Sequence, residues 1–346
     1  STGTGFLVTG DGHVVTNCHI IERDSAYIRN KFIQSTFREV TEDNINALQF
    51  SWAMTLNEQQ RGLLNEAYGL IYSQVSSMIL FDLKKEFYVL YRKDSLDSTL
   101  SEKKKAAVII KGQAMPGKDV AILKIENAKN LPTLAFSQDS LVRIGTEVLV
   151  FGYPEPATTN TFLATEASLE PTLTAGIVSA IKKSLRGWPV IQMDAMISHG
   201  SSGSPVCNEK GEVIALATFG SLDQRGSSLA SGFNFAIPVT VVKEFIKSAG
   251  LNAAPSQASL SFNEGLHFYY LHFYRKARDK FEEVKELNPG YPQLGFYIQQ
   301  CNNRIDGGAD RQSPPRQYVF WIMIVIAVLT VGYLFIKMRR QQTIAG

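Results

Sequence analysis

Between residues 3 and 249, short apolar runs alternate with Gly, Pro and Asn, and this pattern limits the fold more than any other feature. The runs include FLV at 6–8, VV at 14–15, AAVII at 106–110, VLVF at 148–151, VIAL at 213–216 and FNFAI at 233–237. Strands this short, with turn signals between them, close into barrels or sandwiches rather than helical bundles. One stretch breaks the pattern. Thr55 and Glu58 have capping-box spacing, and Leu64, Ala67, Tyr68, Ile71, Val75, Met78 and Ile79 follow at helical spacing. Residues 32–83 therefore read as a helical insertion in a β-rich domain spanning 1–250. The VVKEFIKS segment at 241–248 reads as a short closing helix, and 251–257 as a linker.

Residues 258–305 are rich in aromatic and charged side chains at helical spacing, with a turn at Asn288-Pro289-Gly290. A second linker at 306–317 leads to an uncharged run at 318–336, YVFWIMIVIAVLTVGYLFI. As a helix that run would be about 28 Å long, close to the hydrocarbon thickness of a bilayer. Tyr318, Trp321 and Tyr333 lie near its ends, and Lys337, Arg339 and Arg340 open a basic segment at 337–346. A single transmembrane anchor that engages the lipid bilayer is expected. The basic flank favours a cytoplasmic tail with the preceding domains extracytoplasmic, periplasmic or extracellular; a tail-anchored protein facing the cytosol is the alternative.

Three distant segments carry the chemistry. GTGFLVT at 3–9 leads to DGHVVTNCHI at 11–20; KDVAILKI occupies 118–125; VIQMDA at 190–195 leads into GSSGSP at 200–205. They supply an imidazole at a strand end, a carboxylate at a strand start and a hydroxyl in a Gly-flanked turn. Acyl transfer uses such a set: a serine attacks, a histidine carries its proton, and a carboxylate fixes the ring tautomer. Glycines in the turn let backbone N–H groups converge where an oxyanion develops.

These segments, in the order His, Asp, Ser, resemble the chymotrypsin-fold serine proteases, and specifically their HtrA/Deg-like branch. Further phrases in register are FGYP at 151–154, LTAGIVSA at 173–180, GEVI at 211–214 and GFNFAIP at 232–238. The resemblance covers 1–249 apart from the insertion. It implies a double six-stranded β-barrel and serine endopeptidase activity on protein or peptide substrates. His19 would be the base, Asp119 its orienter and Ser202 the nucleophile, with N–H groups of Gly200 and Ser202 as the oxyanion hole. The residue six before the nucleophile, Met196, would line the floor of the primary specificity pocket. Without a carboxylate there, cleavage after small or medium apolar residues is expected rather than after Lys or Arg. Thr218, Phe219 and Gly220 would bind an extended substrate through the main chain. Two departures stand out: Ser204 where the family has Gly, and His199 where Pro is common. Ser204 and the unusual insertion motivate a different reading, a catalytically silent scaffold that binds peptides or partners through the cleft and the helical module at 258–305.

Within 258–305, Gly265, Phe268, Ala277, Phe281 and Pro289 match the spacing of a tetratricopeptide repeat, which would offer a surface for a protein partner. Nothing resembles the PDZ domain that often follows this protease fold. Trimers are common among such proteases, so self-association is one expectation the resemblance carries. Lys+Arg 35 against Asp+Glu 32 gives +3, too balanced for nucleic acid to be the main partner. Cys18, Cys207 and Cys301 are too scattered for a disulfide framework or a zinc site, and no metal or organic cofactor is expected. Cys18 abuts His19, either as an oxidant-responsive thiol or as an ordinary packed one, the latter favoured. The insertion reads as a surface decoration or as a lid or partner dock, the former favoured.

Overall fold

A computed structural model describes residues 2–22, 28, 32, 35–75, 84–94, 99–137, 142–158, 162–163, 170–222, 229–311 and 321–333. The described residues of 1–260 and 284–294 form one compact unit, and those of 261–283 and 295–346 a second.

The first unit holds two antiparallel β-systems. In one, β1 (Phe6–Leu7), β2 (His13–Thr16), β3 (Phe87–Asp94), β4 (Thr99–Lys111) and β5 (Ala121–Ile125) lie in the order β1-β2-β5-β4-β3. In the other, β6 (Glu147–Gly152), β7 (Thr172–Lys183), β8 (Pro189–Met193), β9 (Pro205–Cys207), β10 (Val213–Leu222) and β11 (Leu229–Pro238) close as β10-β11-β8-β7-β6-β9. The expected double barrel is thus present as two β-systems, but only the second is a closed six-stranded barrel. The first shows five strands, and among the described residues β1 pairs only with β2 and β3 only with β4.

One apolar core is shared by the two systems. Phe6, Val8, Val15, Val120 and Ile122 from the first pack with Val190, Val213, Leu216 and Ile237 from the second. The helix Val239–Ser248, which starts directly after Pro238, closes that core with Val241, Val242 and Ile246. Each side chain of this size removed from water contributes about 1.5–3 kcal/mol, so the shared core fixes one β-system against the other. That fixed relation brings the start of β5 to the loop before β9.

Labelled in chain order, the helices of this unit begin with α1 (Cys18–Ile21), α2 (Arg38–Ser51) and α3 (Glu58–Val75). The insertion is helical as expected, but its cap is two residues out of the expected place. Asn57, not Thr55, closes the box: Gln60 N–H donates to Asn57 Oδ1 (2.9 Å), and Asn57 N–H to Gln60 Oε1 (3.0 Å). Asn serves because its carbonyl oxygen accepts from the first helical turn as a Ser or Thr hydroxyl does. Ile71 and Val75 of the apolar stripe are exposed; Met78 and Ile79 lie outside the described residues. The remaining helices are α4 (Glu155–Thr158), α5 (Val239–Ser248), α6 (Gln257–Tyr270), α7 (Tyr274–Leu287) and α8 (Leu294–Asp306).

The linker expected at 251–257 and the start of α6 belong to the first unit. There Ser259 Oγ accepts from Thr133 N–H (2.9 Å) and meets Tyr291 Oη at 3.1 Å. In the second unit, α6 and α7 run as a hairpin whose buried Phe281 lies against Gly265, where a Cβ would come within 2.6 Å of the ring. Phe262 and Tyr297 pack on the same ring. Of the run 318–336, residues 321–333 are helical and the others lie outside the described residues. No helix among the described residues is long and apolar enough to cross a membrane. The three cysteines are free and buried.

Strand β6 ends at Gly152 for a packing reason. A Cβ there would lie 2.2 Å from Oγ of Ser204, which is fully buried and has no hydrogen-bond partner. Gly152→Ala should therefore cost about 1–3 kcal/mol by overpacking. Adding Ser204→Gly removes the obstructing hydroxyl, so in thermal or urea unfolding the double variant should recover most of that loss. Burial also sets an alkaline limit on stability. It pushes the thiol of Cys207 from 9.0 to about 12, and that of Cys18, which also faces Asp119 and Glu22, to about 11. Above pH 9 the unfolded chain releases protons that the folded chain keeps, so stability should fall from pH 9 to 11. Urea midpoints at pH 8, 9.5 and 11 check this, with a shallower fall expected in Cys207→Ala.

Candidate active site

The site forms where the two β-systems meet. Strand β2 ends at Thr16, and Asn17, in extended backbone, leads into the single turn α1 that carries His19. Asp119 stands just ahead of β5 and is almost wholly buried. Its Oδ2 accepts from His19 Nδ1 at 2.6 Å and from the Thr218 hydroxyl at 2.8 Å, and its Oδ1 accepts from His19 N–H at 2.8 Å. A buried carboxylate is tolerated only when donors replace its water, and here three do. The carboxylate assigns the ring proton to Nδ1 and leaves the lone pair on Nε2. His19 keeps 29% of its side chain in solvent, so that lone pair is open to a reacting group. Asn17 ties the same segment down by donating from Nδ2 to the Asp119 carbonyl (2.8 Å), while its buried Oδ1 has no partner.

Cys18 belongs to the support of this site. Its Sγ donates to the Gly112 carbonyl at 3.3 Å, and with its thiol held up to about 11 it stays protonated at neutral pH. The packed-thiol reading fits this environment.

The loop 198–204 presents Ser202. Gly200 and Gly203 take φ of +91° and +88°, a conformation that side chains strongly disfavour. A Cβ on Gly203 would also sit 2.0 Å from the Thr4 carbonyl oxygen. Ser204 fits without such strain: its N–H donates to Ser201 O (3.0 Å) and its carbonyl accepts from Ala217 N–H (2.9 Å). The Cβ it adds thus occupies space left by Gly152. The His199 carbonyl accepts from Glu155 N–H (2.6 Å), while that of Ser201 accepts from Ser204 N–H. The N–H groups of Gly200 and Ser202 point away from those carbonyls.

His19, Asp119 and Thr218 form one hydrogen-bonded chain, and the hydroxyl of Ser202 joins it from the far side. That hydroxyl donates to the carbonyl of Thr218 at 2.9 Å, and no hydrogen bond joins it to His19 among the described residues. Thr218 therefore has a role that substrate-binding expectations missed, orienting Asp119 through its side chain. Phe219 and Gly220 lie on β10, paired with Phe235 and Asn234 of β11. Beyond Leu216 the β9 side of β10 has no strand partner among the described residues; there Ala217 bonds through its N–H to Ser204 and through its carbonyl to Gly203, and the Thr218 carbonyl accepts from Ser202. Met196 is two-thirds exposed, not enclosed as the floor of a deep pocket would be, and its carbonyl accepts from the Thr174 hydroxyl (2.8 Å). The carboxylate of Asp194 is turned into β7, where it accepts from Ile177 N–H (2.6 Å).

Sequence reasoning missed Thr4. Its N–H donates to Ser202 O (2.8 Å), its hydroxyl to Gly200 O (2.7 Å), and its own carbonyl accepts from the Thr16 hydroxyl (2.7 Å). The one available signal was a hydroxyl residue set between two glycines in GTGF. Such a chain of donors and acceptors can pass a proton from a serine through an imidazole to a leaving group once the Ser202 hydroxyl turns to Nε2.

The chain is similar in sequence to known serine proteases. The mouse (Mus musculus) serine protease HTRA4 is 28% identical over 209 residues, 58% of this chain and 38% of its own length. The serine endoprotease DegS of Haemophilus influenzae is 30% identical over 161 residues, 43% of each chain. A solved HtrA-type protease, AlgW with decapeptide, gives a TM-score of 0.42 at 18% identity, covering 72% of this chain and 51% of that one. The chain spans less than half the length of the curated relatives it matches. The model of the trypsin-like peptidase domain matches residues 3–216, which take in His19, Asp119 and Ser202, and the chain belongs to that family.

Proposed function

We propose that the protein is a serine endopeptidase of the HtrA/Deg-like branch that cleaves protein substrates through an acyl-enzyme. The observation that carries this reading is the buried Asp119 carboxylate bonded to both N–H groups of His19, with Ser202 in a Gly-flanked loop beside the same Thr218. His19 takes the Ser202 proton as the hydroxyl attacks and returns it to the leaving amine. Asp119 holds the imidazolium that forms between those steps. The N–H groups of Gly200 and Ser202 receive the oxyanion. Attack requires the Ser202 hydroxyl to leave the Thr218 carbonyl for Nε2, and a peptide laid along β10 competes for that carbonyl. The printed names of the relatives, serine protease and serine endoprotease, support the same activity.

The substrate residue before the scissile bond is small or medium and apolar, because Met196 offers no charge and Asp194 is engaged by β7. The tetratricopeptide-like hairpin within 258–305 receives a protein partner, supported by Phe281 packed into Gly265. Residues 318–336 anchor the chain in a bilayer by their uncharged, bilayer-length sequence, with the peptidase extracytoplasmic. A second reading, a silent peptide-binding scaffold, draws on one observation: the Ser202 hydroxyl is committed to Thr218 rather than to His19.

A fluorophosphonate probe on detergent-solubilised protein separates the two. Covalent labelling of the wild type that disappears in Ser202→Ala and His19→Ala is the expected result. Turnover of an unfolded protein substrate should fall by about 10⁴-fold or more in the same variants. A folded wild type that neither labels nor cleaves would establish the scaffold. In a peptide series varied before the scissile bond, kcat/KM for Ala, Val or Leu should exceed that for Lys by about 10²-fold. Equal rates would remove the apolar preference.

A further inference from the structure

We infer that Thr4 is a positioning residue for the oxyanion hole, acting from the first β-system on the nucleophile loop of the second. The inference rests on the peptidase reading above. Thr4 is 4% exposed, and each of its polar atoms is used. Its N–H holds the carbonyl of Ser202 (2.8 Å), and its hydroxyl donates to the carbonyl of Gly200 (2.7 Å) while accepting from Tyr153 N–H (3.1 Å). The Thr16 hydroxyl anchors the Thr4 carbonyl in turn (2.7 Å).

The consequence follows from peptide planarity. A peptide unit carries its C=O and N–H on opposite sides, so fixing one carbonyl fixes the direction of the next N–H. With the carbonyls of Gly200 and Ser202 both drawn to Thr4, the Ser201-Ser202 backbone is held at each end. Those carbonyls belong to the Gly200–Ser201 and Ser202–Gly203 peptides, so the Ser201–Ser202 peptide between them, which carries the Ser202 N–H and whose own carbonyl accepts from Ser204 N–H, has little freedom left to turn. The Gly200 φ of +91° makes this arrangement necessary, because a glycine in a loop otherwise has many backbone states available. The space for the contact is made by Gly203, whose missing Cβ would fall 2.0 Å from the Thr4 carbonyl and 2.6 Å from the Thr16 hydroxyl. Valine at position 4 keeps the shape and the backbone N–H but loses the hydroxyl that holds Gly200. Serine keeps the hydroxyl.

Oxyanion stabilisation is felt in the transition state and little in the ground state, which gives the role a kinetic signature. Thr4→Val should lower kcat by about 10²-fold with KM within about threefold of wild type. It should weaken a peptide boronic acid, which forms a tetrahedral adduct with Ser202, by a similar factor. Thr4→Ser should restore both to within about fivefold. In parallel, amide hydrogen exchange of the 198–204 loop should accelerate about tenfold or more in Thr4→Val and not in Thr4→Ser, with β8 and β11 unchanged. Unaltered kcat and boronate affinity in Thr4→Val, in an active wild type, overturn the role. A rise in KM with kcat preserved, or exchange accelerating throughout the unit, overturns it as well. If the wild type itself shows no turnover, the peptidase reading has failed, and the exchange comparison alone decides whether Thr4 holds the loop: equal loop exchange in wild type and Thr4→Val then rejects it.

Discussion

The buried carboxylate of Asp119 is the constraint on which the rest of the site is built. Taking a carboxylate out of water costs several kcal/mol unless donors replace the lost hydration. Here the donors come from two distant parts of the chain: the backbone and ring of His19, and the hydroxyl of Thr218. Asp119 and His19 both hang on the first β-system, where β2 pairs with β5, and Thr218 on the second, so the Thr218 hydroxyl reaches Asp119 only once the two are docked. The shared core of Phe6, Val15, Ile122, Leu216 and Ile237 drives that docking without directional demands of its own. Directionless burial assembles the halves, and the carboxylate selects the register at which they meet.

The nucleophile loop obeys a different kind of constraint, that of close approach. Gly203 lets the Thr4 carbonyl approach, and Gly152 leaves room for Ser204. Both are steric exclusions rather than attractions, and they operate at separations where a single methyl group has no place. Attractive contacts then act on a loop that has few shapes left. The carbonyls of His199, Gly200 and Ser201 are each taken up, by Glu155 N–H, the Thr4 hydroxyl and Ser204 N–H. A backbone site of this type is assembled by disposing of carbonyls as much as by presenting donors.

Much of this was legible in the chain itself. The strand runs, the insertion, and the order of His19, Asp119 and Ser202 could be read because each is local: a period, a run or a short phrase. The strand pairing at the edges of the first system was not legible, since pairing at a sheet edge depends on strands brought together from afar. The cap of α3 was misplaced because Thr55 and Glu58 satisfy the same spacing as Asn57 and Gln60, and only the start of the helix distinguishes them. Met196 was read as lining the floor of the primary specificity pocket; its two-thirds exposure was not legible, because exposure is set by surrounding loops rather than by distance from the nucleophile along the chain. Thr4 and the side-chain role of Thr218 escaped because threonine in a strand-rich chain carries no signal until its hydroxyl has a visible partner.

The helical insertion between His19 and Asp119 has a bearing on chain statistics. These partners are 100 positions apart, and residues 32–83 account for about half of that separation. The entropy lost on closing a flexible loop grows only with the logarithm of its length, so halving this one would change the closure cost by about 0.6 kcal/mol. The His19–Asp119 contact is therefore nearly indifferent to what is spliced between its ends. Segments of very different length can occupy this position while the ring and the carboxylate still find each other.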